Sequence, residues 1–189
     1  MTLLLLDTNA YLRFAKRIKP LLGVPFGAKK YHLTVLSIVE DEFRRSLRLQ
    51  ERFPWFGGND LAEERLATRV RLSDDEKEMH KAATSVLRQS VLDDPLRFTN
   101  PPSQADCEIL AFTHVRESIV VTDDLSMHKL AEEFAIDVMH GHHALHKMLA
   151  ARKVDKALIR EIYDALEANG DLPASWKREQ LELFKSVFK

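Results

Sequence analysis

The chain predicts an α/β fold in which helices cover a parallel sheet, and three observations carry that prediction. The runs Thr2–Leu6 and Ser118–Thr122 are apolar or β-branched almost throughout, as strands buried on both faces are. Along residues 103–139 the signals alternate as helix, strand, helix, strand, which is the pattern of a parallel sheet with helical crossovers. Acidic residues follow both strand runs directly, Asp7 after the first and Asp123-Asp124 after the second. Ligands of parallel sheets bind outside the carboxyl ends of the strands.

Taken in order, Thr2–Leu6 is the first strand and Ala10–Lys16 a helix that Asp7 can cap. Residues 18–30 hold two prolines and two glycines and read as a loop. His32–Leu36 is a second strand. Ser37 can cap a helix running to about Gln50, with Val39, Phe43 and Leu47 as its buried stripe. In that helix Glu42 and Glu40 border the stripe, Asp41 can pair with Arg45, and Arg44, Arg45, Arg48 and Arg52 make a basic row. Phe53-Pro54-Trp55-Phe56 breaks the helix as a packed corner or a partner-binding knob. Helices at Leu61–Leu72 and Asp74–Leu92, the second opened by the capping box Ser73-Asp74-Asp75-Glu76, suggest a helical hairpin inserted over about residues 53–100.

Ser103 with Asp106 forms another capping box ahead of the apolar run Ile109–Phe112. After the strand Ser118–Thr122 comes a helix, Leu125–Phe134, then a short strand, Ile136–Met139. His142 and His146 stand four apart and can share one helix face, but no third metal ligand lies near them in sequence, so the segment reads as a polar helix start. A helix from Asp155 to Ala168 ends at Asn169-Gly170, and a last helix from Pro173 to Val187 carries Trp176, Leu181, Phe184 and Phe188 as apolar residues. Residues 1–150 thus form the main domain and 151–189 a helical extension that packs on it or on a partner.

Composition sets bounds. At 189 residues the chain can bury a real core. Its 28 basic and 29 acidic residues nearly cancel, so only local clustering speaks about a nucleic-acid partner. The single cysteine, Cys107, excludes a disulfide framework and a cysteine zinc site. The apolar run Leu3–Leu6 is too short for a signal peptide or a membrane span, so a soluble cytoplasmic protein with no membrane partner is expected.

The candidates for chemistry are Asp7, Glu42, Asp106 and Asp123 or Asp124, with Glu40 as the alternative to Glu42. Each has a plain structural role available as a cap or an ion-pair partner. Together they stand at the carboxyl ends of inferred parallel strands and in the first turns of the helices around them. Carboxylates so gathered raise one another's pKa or require a counter-ion, and an all-oxygen set suits Mg2+ or Mn2+. Such an ion can acidify a water and orient it for in-line attack on a phosphodiester. No glycine-rich phosphate loop competes for the role.

These segments resemble the PIN-domain family of metal-dependent ribonucleases. LLLLDTNAYL resembles the family's opening strand and aspartate, LTVLSIVEDEF its second-strand motif, SQADCEILAFTH its third and VVTDDLSMHKLAEEFAIDV its fourth. The likeness covers roughly residues 1–50 and 100–140, with the motifs in the family's order. It picks Glu42 over Glu40 and Asp124 over Asp123. It implies a three-layer α/β/α sandwich, with Asp7, Glu42, Asp106 and Asp124 as catalytic and metal-holding residues. It also implies an RNA substrate and, for the toxin branch, an antitoxin partner and in some members homodimers. Thr122 and Asn9 are expected to support the pocket. Arg13, Lys16, Arg17, Arg44, Arg45 and Arg48 are candidates for phosphate contact. The alternative from another class is a non-catalytic scaffold of the same fold, a protein-interaction or RNA-binding module that works through its helical additions.

Overall fold

The structure is a computed structural model and describes residues 2–189. Its strands are β1 (Thr2–Leu6), β2 (Tyr31–Thr34), β3 (Ser118–Val121) and β4 (Val138–Met139). They form one sheet in the order β2-β1-β3-β4, with every pair parallel. The helices are α1 (Thr8–Ala15), α2 (Ser37–Arg45), α3 (Leu47–Arg52), α4 (Asn59–Ala67), α5 (Asp74–Asp93), α6 (Gln104–Ala111), α7 (Leu125–Glu133), α8 (Gly141–Ala150), α9 (Lys156–Ala168), α10 (Ala174–Leu183) and α11 (Lys185–Phe188). None is long and apolar enough to cross a membrane.

β1 is the pivot. Leu4 pairs with Leu33 of β2 on one side and with Ile119 of β3 on the other. The chain leaves β1 for β2 and later returns on the opposite side as β3. Strand order therefore reverses between β1 and β3, where a parallel sheet opens a crevice at its carboxyl ends.

Strand residues alternate between two faces, and each face meets its own helices. Leu4, Leu6 and Val121 enter a core with Tyr11 and Phe14 of α1, Leu145 of α8, Ile159 and Tyr163 of α9, and Trp176 of α10. Leu5 and Val120 enter a second core with Leu87 and Val91 of α5, Cys107 and Leu110 of α6, and Met127 and Leu130 of α7. Residues 151–189 thus pack on the main domain, and Trp176, Phe184 and Val187 are fully buried there.

Several local expectations fail for identifiable reasons. The helix expected to reach Gln50 stops at Arg45, because Ser46 turns extended and caps α3 by accepting from Leu49 N. Leu47 therefore leaves the buried stripe and is 74% exposed, while Val39 and Phe43 stay buried. Asp41 pairs with Arg44 at 2.8 Å rather than with Arg45. The inserted helices do not share a core as a hairpin would. Leu61 of α4 packs in the first core and Leu87 and Val91 of α5 in the second. Phe53–Phe56 is a packed corner in which Phe56 is buried and stacks on Phe43 at 3.9 Å. Leu181 is exposed, since α10 buries only Trp176.

Candidate functional site

Asp7 stands where β1 ends. Its backbone N–H still donates to Val121 O across the β1–β3 pair at 3.1 Å. Its side chain caps α1, accepting from Ala10 N at Oδ1 and from the Thr122 hydroxyl at Oδ2, both at 2.5 Å. Asp7 is 3% exposed. Burial drives its pKa up to about 7, against the lowering pull of the Thr122 and Ala10 hydrogen bonds and the Arg13 charge. The Thr122 hydroxyl also accepts from Asp124 N at 3.1 Å, so one fully buried side chain ties the ends of β1 and β3 together.

The other acids approach from the surrounding helices. Thr8, the first residue of α1, donates its hydroxyl to Glu42 Oε2 on α2. Asp106 sits in the first turn of α6, where its Oδ2 accepts from Ser103 N at 2.8 Å in the expected capping box. Burial raises its pKa, the Ser103 bonds oppose the rise, and the charges of Glu42 and Asp124 add to it. Asp124 caps α7, its Oδ1 accepting from Ser126 N at 2.7 Å and Met127 N at 3.1 Å. Asp7, Glu42, Asp106 and Asp124 are thus linked through Thr8, Thr122 and mutual charge at one end of the sheet.

The donor chemistry fits a hard divalent cation. Every donor is a carboxylate oxygen, and Glu42, Asp106 and Asp124 each keep one oxygen outside the bonds just described. Two of the four carboxyls are pushed toward protonation, a cost that a cation would relieve. The four do not close tightly. Among the described residues, the group of three or more metal-ligating side chains with all ligand atoms within 4.8 Å is His142, His143 and Glu179, not the acids. A cation among the acids would be held partly through water, as Mg2+ commonly is.

The neighbouring acids do different work. Asp123 turns inward and accepts from Arg13 at 3.0 Å, Trp176 Nε1 at 2.9 Å and Gly141 N at 3.1 Å, with His140 Nδ1 at 3.2 Å. Burial pushes its carboxyl up, but these four partners outweigh it and hold the pKa below the ordinary value. Glu40 is paired with buried Arg65 at 2.8 Å.

No family model, curated protein or solved structure matches the chain.

Of the two residues expected to support the pocket, Thr122 bonds Asp7 and Asp124, whereas Asn9 is exposed. Thr8 fills that role; a hydroxyl directly after the strand-end aspartate was the signal available. Of the basic candidates, Arg13 is paired with Asp123 and Asp171, Arg17 with Glu161 and Arg44 with Asp41. Lys16, Arg45 and Arg48 have no carboxylate partner within 4 Å among the described residues. A cavity of about 450 Å3 gathers Arg13, Lys16, Arg17 and Arg52 with Phe53 and Trp55. It lies along α1, whose first residue follows Asp7, so its Lys16 end is roughly 14 Å from Asp7 at 1.5 Å per residue. His146 does not join His142 in a metal pair; it packs edge-on against Phe184.

Proposed function

We propose that the protein is a metal-dependent endoribonuclease of the PIN-domain kind, with a three-layer α/β/α core. The observation that supports this best is the linkage of Asp7, Glu42, Asp106 and Asp124 at the carboxyl edge of the reversal between β1 and β3. A Mg2+ or Mn2+ ion held there by Asp7, Glu42, Asp106 and Asp124 would supply a more acidic water and neutralise charge on a scissile phosphate.

The chain's own residues do the rest. Thr122 and Ala10 N fix the Asp7 carboxylate in a single orientation at the floor of the site. Thr8 does the same for Glu42 across the gap to α2. Capping bonds hold Asp106 and Asp124 by one oxygen and leave the other outside those bonds. Positions fixed this way need no rearrangement when negative charge builds on the substrate.

Substrate binding fits the cavity beside α1. Lys16, with no carboxylate partner among the described residues, offers a phosphate contact, and Phe53 and Trp55 offer faces on which unpaired bases stack. Single-stranded RNA is therefore the substrate class favoured here. The test is cleavage of labelled single-stranded RNA and DNA with Mg2+, Mn2+ or EDTA, by the natural protein, Asp106→Asn and Asp124→Asn. Cleavage that needs metal and is lost in both folded variants supports the reading. Full activity in the double variant refutes the site.

The scaffold alternative has its own observation. Leu96 is 93% and Leu66 69% exposed, both within the helical insertion. Those residues suit a protein partner, an antitoxin or a second copy included. Binding without cleavage, with metal and several RNAs present, would favour that reading.

A further inference from the structure

A second ligand cluster lies on the side of the sheet where the C-terminal helices pack. His142 and His143 are consecutive residues in the first turn of α8, yet both imidazoles turn to one carboxylate oxygen. His142 Nε2 is 2.8 Å and His143 Nε2 3.1 Å from Glu179 Oε2, which α10 supplies. The three ligand atoms all lie within 4.8 Å of one another. The two rings are 4.3 Å apart. Arg178 donates to the other Glu179 oxygen at 2.9 Å and so fixes the carboxylate's orientation.

We infer that His142, His143 and Glu179 form a zinc site that clamps α10 onto α8. Two imidazole nitrogens and one carboxylate oxygen make a mixed donor set suited to Zn2+, whereas Mg2+ and Mn2+ prefer all-oxygen sites. The spacing fits as well. Ligands about 2.0–2.1 Å from a tetrahedral zinc stand roughly 3.3 Å from one another. The two N···O separations here, 2.8 and 3.1 Å, need to widen by only a few tenths of an ångström.

Burial supplies a second argument. His142 is completely buried, and its Nδ1 has no hydrogen-bond partner among the described residues. Taking an imidazole out of water for one polar contact is costly, and an apolar side chain would fill the place more cheaply. Of its two ring nitrogens, Nε2 is the one with a polar neighbour, Glu179 Oε2, and so the one placed to ligate a metal. His143, at 39% side-chain exposure, keeps one side of the cluster open to solvent. That opening lets the metal enter and leaves the fourth position to water. The clamp has a structural consequence, because α10 also carries Trp176, the indole that donates to Asp123 at the end of β3. Holding α10 in place holds that hydrogen bond.

The test uses the full chain stripped of metal by chelation and dialysed free of chelator. Zinc content after equilibration with Zn2+ and desalting, and melting temperature with and without Zn2+, are read for four proteins. These are the natural chain, His143→Ala, Glu179→Gln and Asp106→Asn. His143→Ala removes a half-exposed side chain and Glu179→Gln keeps its shape, so both fold. The natural chain and Asp106→Asn are expected to retain one zinc each and to melt higher with it. His143→Ala and Glu179→Gln are expected to lose at least tenfold in affinity and show no zinc-dependent rise. Co2+ in place of Zn2+ should give the strong visible absorption of a tetrahedral site in the natural chain alone of the first three. Failure of the natural chain to retain zinc overturns the inference. So does equal retention by Glu179→Gln and His143→Ala, or loss confined to Asp106→Asn. The readout is zinc retention rather than RNA cleavage, and loss confined to Asp106→Asn would place the metal at the four acids instead, so the two proposals are told apart.

Discussion

Replacing Asp7 by Asn should make the metal-free protein more stable while abolishing metal-dependent cleavage. Asp7 is 3% exposed, and burial lifts its pKa from 3.8 to about 7. At 1.36 kcal/mol per pKa unit, that rise means the ionised carboxylate costs about 4 kcal/mol above neutral pH. The sign follows from proton counting. Between about pH 4 and pH 7 the native state binds a proton that the unfolded chain has released, so stability falls as pH rises through this window. An amide mimics the neutral acid at every pH. Asn Oδ1 can still accept from Ala10 N, and Thr122 Oγ1 can turn to accept from Asn Nδ2, at a cost of about 1 kcal/mol for the exchanged bond. The net gain at pH 8 is therefore about 3 kcal/mol, or roughly 6–12 °C for a chain of this size. At pH 4 the variant should melt at or slightly below the natural protein. The assay is thermal unfolding followed by circular dichroism at pH 4, 6 and 8, with EDTA and with Mn2+. Mn2+ should narrow the gap at pH 8 by stabilising only the natural protein. An Asp7→Asn protein that melts lower at pH 8 in EDTA, or a difference independent of pH, would refute the electrostatic reasoning.

Three further outcomes follow from packing and hydrogen bonding. A Cβ at Gly141 would lie 2.6 Å from Trp176 Cζ2 and 3.0 Å from Asp123 Oδ2, so Gly141→Ala should cost about 1–3 kcal/mol, seen as a lower melting temperature and a shifted tryptophan emission. Tyr163 Oη is buried without a hydrogen-bond partner among the described residues, so Tyr163→Phe should stabilise by about 1 kcal/mol in a urea titration; a loss would show that the hydroxyl is satisfied in solution. Arg65 is 6% exposed and donates to Glu40 at 2.8 Å, the Tyr11 hydroxyl at 2.9 Å and Phe56 O at 3.2 Å. Arg65→Met should cost about 2–4 kcal/mol, and adding Glu40→Gln should recover part of it; strict additivity would contradict the coupling.

Short-range chemistry is what the sequence makes legible here. The apolar run Thr2–Leu6 is β1, and the apolar core of Ser118–Thr122 is β3. The caps at Asp7, Ser73, Ser103 and Asp124 form as the residue patterns indicate, because a cap needs only a side chain and backbone two or three residues away, whereas Ser37 lies inside α2, whose N-cap is Leu36 with no side-chain bond. Contacts between distant segments are not legible in the same way. Thr8 meets Glu42, Trp176 meets Asp123 and Glu179 meets His142 across many intervening residues, and no periodicity marks such meetings. His142 and His146 stand four apart in the sequence, yet the side chains that His142 meets are His143 and Glu179. Helical spacing misled because His143 reaches the same oxygen from the adjacent position at the open first turn of α8. The split at Ser46 is not legible in the sequence for a related reason. Leu47 continues the apolar spacing of Val39 and Phe43, and only tertiary packing shows that it has nothing to pack against.

The nuclease reading is tested most directly by the chemistry of the cut ends. Single-stranded RNA is incubated with the natural protein and Mn2+, and the fragments are weighed by mass spectrometry, with Asp106→Asn as the control. Attack by water predicts simple phosphate and hydroxyl ends in equal number, absent with EDTA and absent from Asp106→Asn. Fragments carrying 2′,3′-cyclic phosphate, or fragments that persist in EDTA or with the variant, would contradict a metal-dependent site at Asp7, Glu42, Asp106 and Asp124.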